Sequence, residues 1–253
     1  GHLLLPGKSF RGDLVVSDIG IPGAVMNDIR PQLWLNGPRL WSDFWPWPYP
    51  PIHKYQRGHA LVQGGGADSS GAARLAAEAA LRIGAGLVTV ACPSESLGVY
   101  GGQLTSVMVR PIGDTAAYQS LLSDDRINAV LIGPGCGVNS ITEGRVLQTL
   151  ATKKACVFDA DALSIFEKDP TSLFHAIEGV CVLTPHDGEF ARLFDIKGDR
   201  LNRSRKASEI SGSVVLLKGA DTVIAAPDGR AVIIDNAPPD LATAGSGDVL
   251  AGL

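Results

Sequence analysis

The chain has 253 residues, a length that suits one large domain, or one domain with an appendage, and can bury a sizeable core. Hydrophobic residues make up 45% and charged residues 19%, and the formal net charge is −4, which gives no electrostatic case for nucleic acid. No run of about 18 apolar residues predicts a membrane span, and no basic segment followed by an apolar run marks a signal peptide at the start.

Residues 1–21 hold one short strand pattern, 14–16, between glycine turns and without partner elements. An isolated strand has nowhere to bury its face. Residues 22–52 carry Trp41, Trp45, Trp47 and the run PWPYPP. Proline fixes φ and removes backbone donors, so this stretch is predicted to be an irregular linker whose aromatics strap onto the domain. From residue 59 the pattern changes. Apolar runs at 59–63, 87–92, 106–110, 129–133, 156–160, 181–185, 214–219, 222–226 and 231–235 read as strands covered on both faces. Helical stretches fall at 71–83, 141–151 and 188–194. In the first of these, Ala72, Leu75, Ala76, Ala79 and Ala80 form a small-residue face for packing on a sheet. The alternation predicts an α/β fold, with a mostly parallel central sheet and helices on both faces. The turn 226–230 predicts an antiparallel edge hairpin. Cys92, Cys136, Cys156 and Cys181 are scattered, without metal-ligand spacing, and read as reduced thiols of a cytosolic protein. The chain stops at Leu253 after one helical turn. A lone turn is unstable, so the natural protein is expected to continue.

In open α/β sheets ligands bind outside the carboxyl ends of the strands, and six segments fall there. In Ala244-Gly245-Ser246-Gly247-Asp248, two glycines permit close approach of a phosphate and a helix start offers free N–H groups. Asp248 is placed to act as a base on an attacking hydroxyl. Lys218-Gly219-Ala220-Asp221-Thr222 suits a nucleotide phosphate or ribose. In Thr184-Pro185-His186-Asp187-Gly188-Glu189, His186 can orient a polar substrate and Glu189 can serve metal or phosphate chemistry through water. Gly133-Pro134-Gly135-Cys136-Gly137 permits close approach of a ligand. Asp159 and Asp161 can help hold a magnesium–phosphate group. The sixth segment is the glycine loop 64–72. Each also has a plain structural account: a glycine turn, a solvated lysine, acids favouring a helix dipole, or Asp161 as a helix cap. The dinucleotide fingerprint fails, because position 69 is serine where its third glycine belongs. No glycine loop carries the lysine-threonine or lysine-serine of a P-loop.

Taken in order, His53-Lys54, SGAARLAAEAALRIGAGLVTVA, GPGCG, DADAL, TPHDGE, LKGADT and AGSGDVLAG resemble the NAD(P)H-hydrate dehydratase domain, a branch of the ribokinase-like superfamily, over residues 53–253. The resemblance implies a three-layer αβα fold. It implies dehydration of the S epimer of NADHX or NADPHX at the expense of ADP (ATP in eukaryotes), yielding the reduced nucleotide, AMP and phosphate, with Mg²⁺ accompanying the phosphates. Carried over, Ala72, Gly135 or Gly137, His186 and Asp248 face the hydrate. Lys218, Gly219, Ala220, Asp221, Thr222 and Gly247 face the adenine nucleotide, and Gly245, Ser246 and Gly247 form the anion hole. Residues 1–21 resemble the last strand of an NAD(P)H-hydrate epimerase domain, implying a fused partner upstream and, by its order, ADP as co-substrate. A cytoplasmic homo-oligomer, a tetramer, is implied as well. The chain departs from the family at Asp187, usually proline, at Ser246, often threonine, and at Cys136, often leucine. Asp187 is expected to add a negative charge near the substrate site. The rival readings are a small-molecule kinase of the same superfamily, acting on a vitamin precursor or sugar, and a non-catalytic nucleotide-binding module.

Overall fold

Every apolar run predicted from residue 59 onward is a strand in the computed structural model, which describes residues 2–253. The strands are β1 (Leu33–Leu35), β2 (His59–Gln63), β3 (Leu87–Cys92), β4 (Met108–Pro111), β5 (Ala129–Ile132), β6 (Ala155–Phe158), β7 (Cys181–Leu183), β8 (Val214–Leu217), β9 (Val223–Ala225) and β10 (Ala231–Ile233). The helices are α1 (Gly23–Ile29), α2 (Pro38–Trp41), α3 (Ser70–Ile83), α4 (Leu97–Gln103), α5 (Thr115–Leu122), α6 (Ser140–Ala151), α7 (Asp161–Ser164), α8 (Pro170–Ala176), α9 (Asp187–Leu193), α10 (Arg200–Ser211) and α11 (Ser246–Gly252).

The strands form one sheet in the order β1-β10-β9-β8-β7-β6-β5-β2-β3-β4. Among the described residues only β9 runs against the others. The order reverses beside β2: the chain moves outward through β3 and β4, then returns to place β5 on the other flank of β2. A crevice at such a switch point is where an open α/β sheet takes its ligand. The glycine loops after β2 and β5 stand at that switch point.

Side chains alternate between two buried layers. Val130 and Ile132 join Tyr118, Val146, Leu163, Leu173, Phe190 and Ala207 on one face. Leu131 joins Ala73, Ala76, Ala77, Tyr100 and Ala251 on the other. The sheet is therefore covered by α3, α4 and α11 on one side and by α5 to α10 on the other, the three-layer arrangement expected. The buried face of α3 keeps the predicted Ala76, Ala79 and Ala80 and adds Ala73 and Ala77, whereas Leu75 is exposed. Small residues there let α11 approach closely: a Cβ on Gly252 would lie 2.1 Å from the carbonyl oxygen of Ala76.

Two expectations fail at the amino-terminal end. Residues 14–16 form no strand, and Val15 and Val16 are 80% and 86% exposed; without a neighbouring strand their backbone groups stay with solvent. The 22–52 stretch is not simply irregular. It holds two short helices and β1, whose Leu33 to Leu35 pair in parallel with Ala231 to Ile233. The predicted β9–β10 hairpin is present, but β1 rather than the hairpin forms that edge of the sheet. The linker tryptophans pack mainly on one another, Trp41 on Trp45 at 5.7 Å and Trp45 on Trp47 at 6.2 Å between ring centroids. No helix among the described residues is long and apolar enough to cross a membrane.

Candidate functional site

The glycine loop after β2 and the GPGCG loop after β5 are pressed together. Gly135 adopts φ +69°, which glycine tolerates. Ser69 Oγ donates to the Gly135 carbonyl at 2.7 Å, and a Cβ on Gly135 would come 3.5 Å from Ala72 Cβ. Ala72 and Gly135, two candidate hydrate contacts, are thus neighbours. A Cβ on Gly65 would fall 1.6 Å from the Gly135 carbonyl oxygen. Gly65→Ala must therefore force the loops apart, at about 1–3 kcal/mol as overpacking usually costs. A lower Tm and a raised KM for the substrate held there are expected, and unchanged thermal melting would contradict this.

Asp161 is not the cap of α7. Its carboxylate accepts from Gly137 N–H at 2.8 Å and fixes the far end of the GPGCG loop. At the near end a Cβ on Gly133 would lie 1.7 Å from the Asp159 carbonyl oxygen. Cys136 lies half-buried between these anchors with its thiol donating to the Gln63 carbonyl, and burial pushes that thiol up to about 12. It is a packing group rather than a nucleophile.

The charged centre lies at the ends of β6, β7 and β8. Lys218 Nζ donates to Asp159 Oδ1 at 2.6 Å and stands 3.8 Å from Glu189 Oε2. The Asp159 side chain is 3% exposed and that of Lys218 19%. His186 forms a parallel bridge with Lys218 beyond the strand ends. It is also the cap of α9: Nδ1 accepts from Gly188 and Glu189 N–H, and Glu189 accepts in return from His186 N–H at 2.8 Å. This reciprocal box fixes the ring, whose side chain remains 54% exposed. Glu189 is thereby occupied as a capping group.

Helix α11 brings Asp248 to this centre. Its cap, Gly245, has φ +88°, and a Cβ there would strike Leu75 of α3 at 2.7 Å. A Cβ on Gly247 would lie 3.7 Å from Lys218 Nζ, so the ammonium sits beside the first turn. Burial, then the Asp159 charge, pushes the Asp248 carboxyl above its ordinary value, and Lys218 opposes them. The Ser246 hydroxyl turns back to the Thr243 carbonyl at 2.9 Å.

The rest of the LKGADT segment behaves differently. Asp221 is buried, held by Arg200 Nε at 2.8 Å and by Leu5 N–H at 2.9 Å. Thr222 closes its own turn through Gly219, and the Ala220 carbonyl accepts from Lys8 Nζ. Lys218 and Gly247 meet at the centre; Asp221 and Thr222 serve the shape of the loop. Contrary to the expectation from sequence, Asp187 adds no unbalanced negative charge near the site. Arg200 and Arg203 hold it at 2.5 and 2.9 Å. Burial raises its carboxyl, but the two arginines outweigh burial and leave it lowered.

No group of three or more His, Cys, Asp or Glu side chains among the described residues is arranged to hold a metal. A Mg²⁺ that arrives with phosphates needs only one or two carboxylates and keeps its waters. Asp159, paired with Lys218, and Asp248, whose carboxyl feels both of them, fit that lesser demand.

A sheet switch point, two interlocked glycine loops and a lysine-bridged carboxylate cluster beside a helix start are the features of a ribokinase-like enzyme class. A family model describing NAD(P)H-hydrate dehydratase matches residues 60–253, and the chain belongs to that family. It is similar to bifunctional NAD(P)H-hydrate repair enzymes, 38% identical to that of Moorella thermoacetica over all of this chain and 50% of the relative. It is 36% identical to that of Salinibacter ruber over 97% of this chain and 48% of the relative. The chain thus spans about half the length of the curated relatives it matches. Among solved structures it resembles the ADP/ATP-dependent NAD(P)H-hydrate dehydratase of Bacillus subtilis co-crystallised with ATP and Mg²⁺. The TM-score is 0.71 and the identity 27%, over 82% of this chain and 74% of that one. A ribokinase-like superfamily protein of Enterococcus faecalis shares the fold, with TM-score 0.76 and 24% identity over 87% of this chain and 78% of that one.

Proposed function

We propose that the chain dehydrates the S epimer of NADHX or NADPHX at the expense of ADP, yielding NADH or NADPH, AMP and phosphate. The observation that carries this reading is Asp248 on the first turn of α11, beside Lys218 and the buried Asp159. Asp248 takes the proton of the hydrate's ring hydroxyl as that oxygen attacks the terminal phosphoryl group of ADP, and the bond to the bridging oxygen breaks with its electron pair leaving on AMP. The N–H groups of Gly245, Ser246 and Gly247 and the Lys218 ammonium balance charge on the phosphoryl oxygens. Phosphate then leaves with the C–O bonding pair, pushed by the ring nitrogen. Loss of a proton from the adjacent ring carbon restores the dihydropyridine. Ala72, Gly135, Gly137 and His186 line the hydrate side; Lys218, Gly219, Ala220 and Gly247 line the nucleotide side, with Asp221 and Thr222 shaping that loop from behind. Asp159 and Asp248 would hold a Mg²⁺ accompanying the phosphates through water, with Glu189 occupied in the cap of α9, and the ion would supply charge neutralisation of the phosphates.

The bifunctional relatives support a fused epimerase domain as partner, with residues 1–21 as its closing segment; Gly1 lies outside the described residues. A cytoplasmic tetramer completes the reading. The test mixes the protein with NADHX, ADP and Mg²⁺ and follows the near-ultraviolet absorbance of NADH. Its return supports the reading. Phosphorylation of a vitamin precursor or sugar without return of NADH would favour the kinase, and ADP binding without any turnover the non-catalytic module.

A further inference from the structure

The most heavily engaged side chain around the site is one that no sequence motif singled out. Arg200 opens α10, whose amino-terminal cap is Asp199. Its guanidinium reaches three separate pieces of the molecule. Nη2 donates to Asp187 Oδ2 at 2.5 Å on the first turn of α9. Nη1 donates to the carbonyls of Leu217 and Lys218, at 3.4 and 2.9 Å, where β8 ends. Nε stands 2.8 Å from Asp221 Oδ1 in the following loop. The group also lies flat over Gly219, where a Cβ would come within 2.8 Å of the guanidinium carbon. The Arg200 side chain is only 13% exposed. Arg203, one turn later, holds the other Asp187 oxygen at 2.9 Å and stacks over Phe190 at 4.6 Å from the ring centroid.

These contacts have one geometric consequence. Asp187 adjoins His186, and Asp221 and the Lys218 carbonyl bracket Gly219 and Ala220. A single planar fork therefore sets the spacing between the α9 start and the 218–222 loop. Lysine cannot reproduce this, because an ammonium offers no fixed fork. The loop is held from its other side by Leu5 N–H on Asp221 and Lys8 on the Ala220 carbonyl, so Arg200 is not its sole anchor.

We infer that Arg200 is a positioning residue for adenine-nucleotide binding: through Asp187, Asp221 and the Lys218 carbonyl it poses the 218–222 loop against the start of α9. The inference rests on the nucleotide side assigned above. It touches neither the two glycine loops nor Asp248, and reaches the hydrate side only through Asp187 beside His186, so its loss acts mainly on the nucleotide.

Arg200→Lys is expected to raise KM for ADP tenfold or more, equivalent to about 1.4 kcal/mol. KM for the hydrate is expected to rise several-fold less than that for ADP, and kcat to change less than either. Asp187→Asn, which keeps the fold because that side chain is half exposed, should give a smaller rise. An unchanged KM for ADP in Arg200→Lys would overturn the inference. So would parallel rises in both KM values together with a lowered Tm, which is what a merely structural role predicts. Were the unmutated chain not to turn over, the dehydratase reading would fail by itself. Arg200 is then judged by ADP affinity in calorimetry and by amide hydrogen exchange of residues 217–222. Faster exchange and weaker ADP binding in Arg200→Lys support it; equality with the unmutated chain in either measurement overturns it.

Discussion

Asn in place of Asp248 is expected to lower kcat by roughly 10²–10⁴-fold, the usual contribution of a general base, while ADP still binds. The amide keeps size and shape but accepts no proton from the hydrate hydroxyl. The same substitution should stabilise the fold at neutral pH. Burial and the neighbouring Asp159 raise the Asp248 carboxyl above its ordinary value, so the folded state binds its proton more tightly than the unfolded state does. The cost of ionising it is absent below the unfolded value and fully present above the folded one. Asn removes that cost, so Tm should rise at neutral pH and the gain should vanish in acid. The raised carboxyl also lifts the acid limb of the pH–rate profile above that of an exposed aspartate, because the base works only when ionised. Full turnover in Asp248→Asn would remove Asp248 from the chemistry.

Much of the fold was legible because buried strands are apolar throughout and end in glycine or charge. The AVLIG and VVLLKG runs announced themselves in this way. Helix α10 did not. Its inward positions are Ser204, Ala207, Ser208 and Ser211, so it shows no apolar period. The serine hydroxyls satisfy themselves locally, on the carbonyls of Arg200, Ser213 and Ala207, a substitute for hydrophobic burial that composition conceals. Strand β1 was equally hidden. Three residues on a sheet edge carry too little alternation to read, and their pairing with β10 joins positions about two hundred apart in sequence.

The site divides along the same line. Glycines and the acids near them marked the loops, because only glycine fits contacts as close as Gly65 on Gly135. The partners of those acids were not legible. Asp161 looked like a cap and anchors Gly137 instead. Asp187 looked like an added charge and is neutralised by two arginines from a helix that the sequence did not reveal. Local motifs report which backbone can approach a ligand; which charge balances which is decided by the packing of distant elements.

Lys218 is where that packing matters most. Lys218→Met is expected to cost about 3–5 kcal/mol, the usual loss when one partner of a buried pair is removed, because Asp159 would be left 3% exposed without its cation. Urea unfolding measures this directly. Pairing Lys218→Met with Asp159→Asn should restore most of the stability, since neither charge then lies buried alone, yet it should not restore turnover. The pH–rate profile separates the roles. Lys218 is the charge that opposes the rise of the Asp248 carboxyl, so its removal should move the acid limb to higher pH, and removal of Asp159 should move it back. A double variant as unstable as Lys218→Met alone would show that the 2.6 Å pair is not what holds these strand ends together. An unmoved acid limb would show that Asp248 does not feel the lysine it is packed beside.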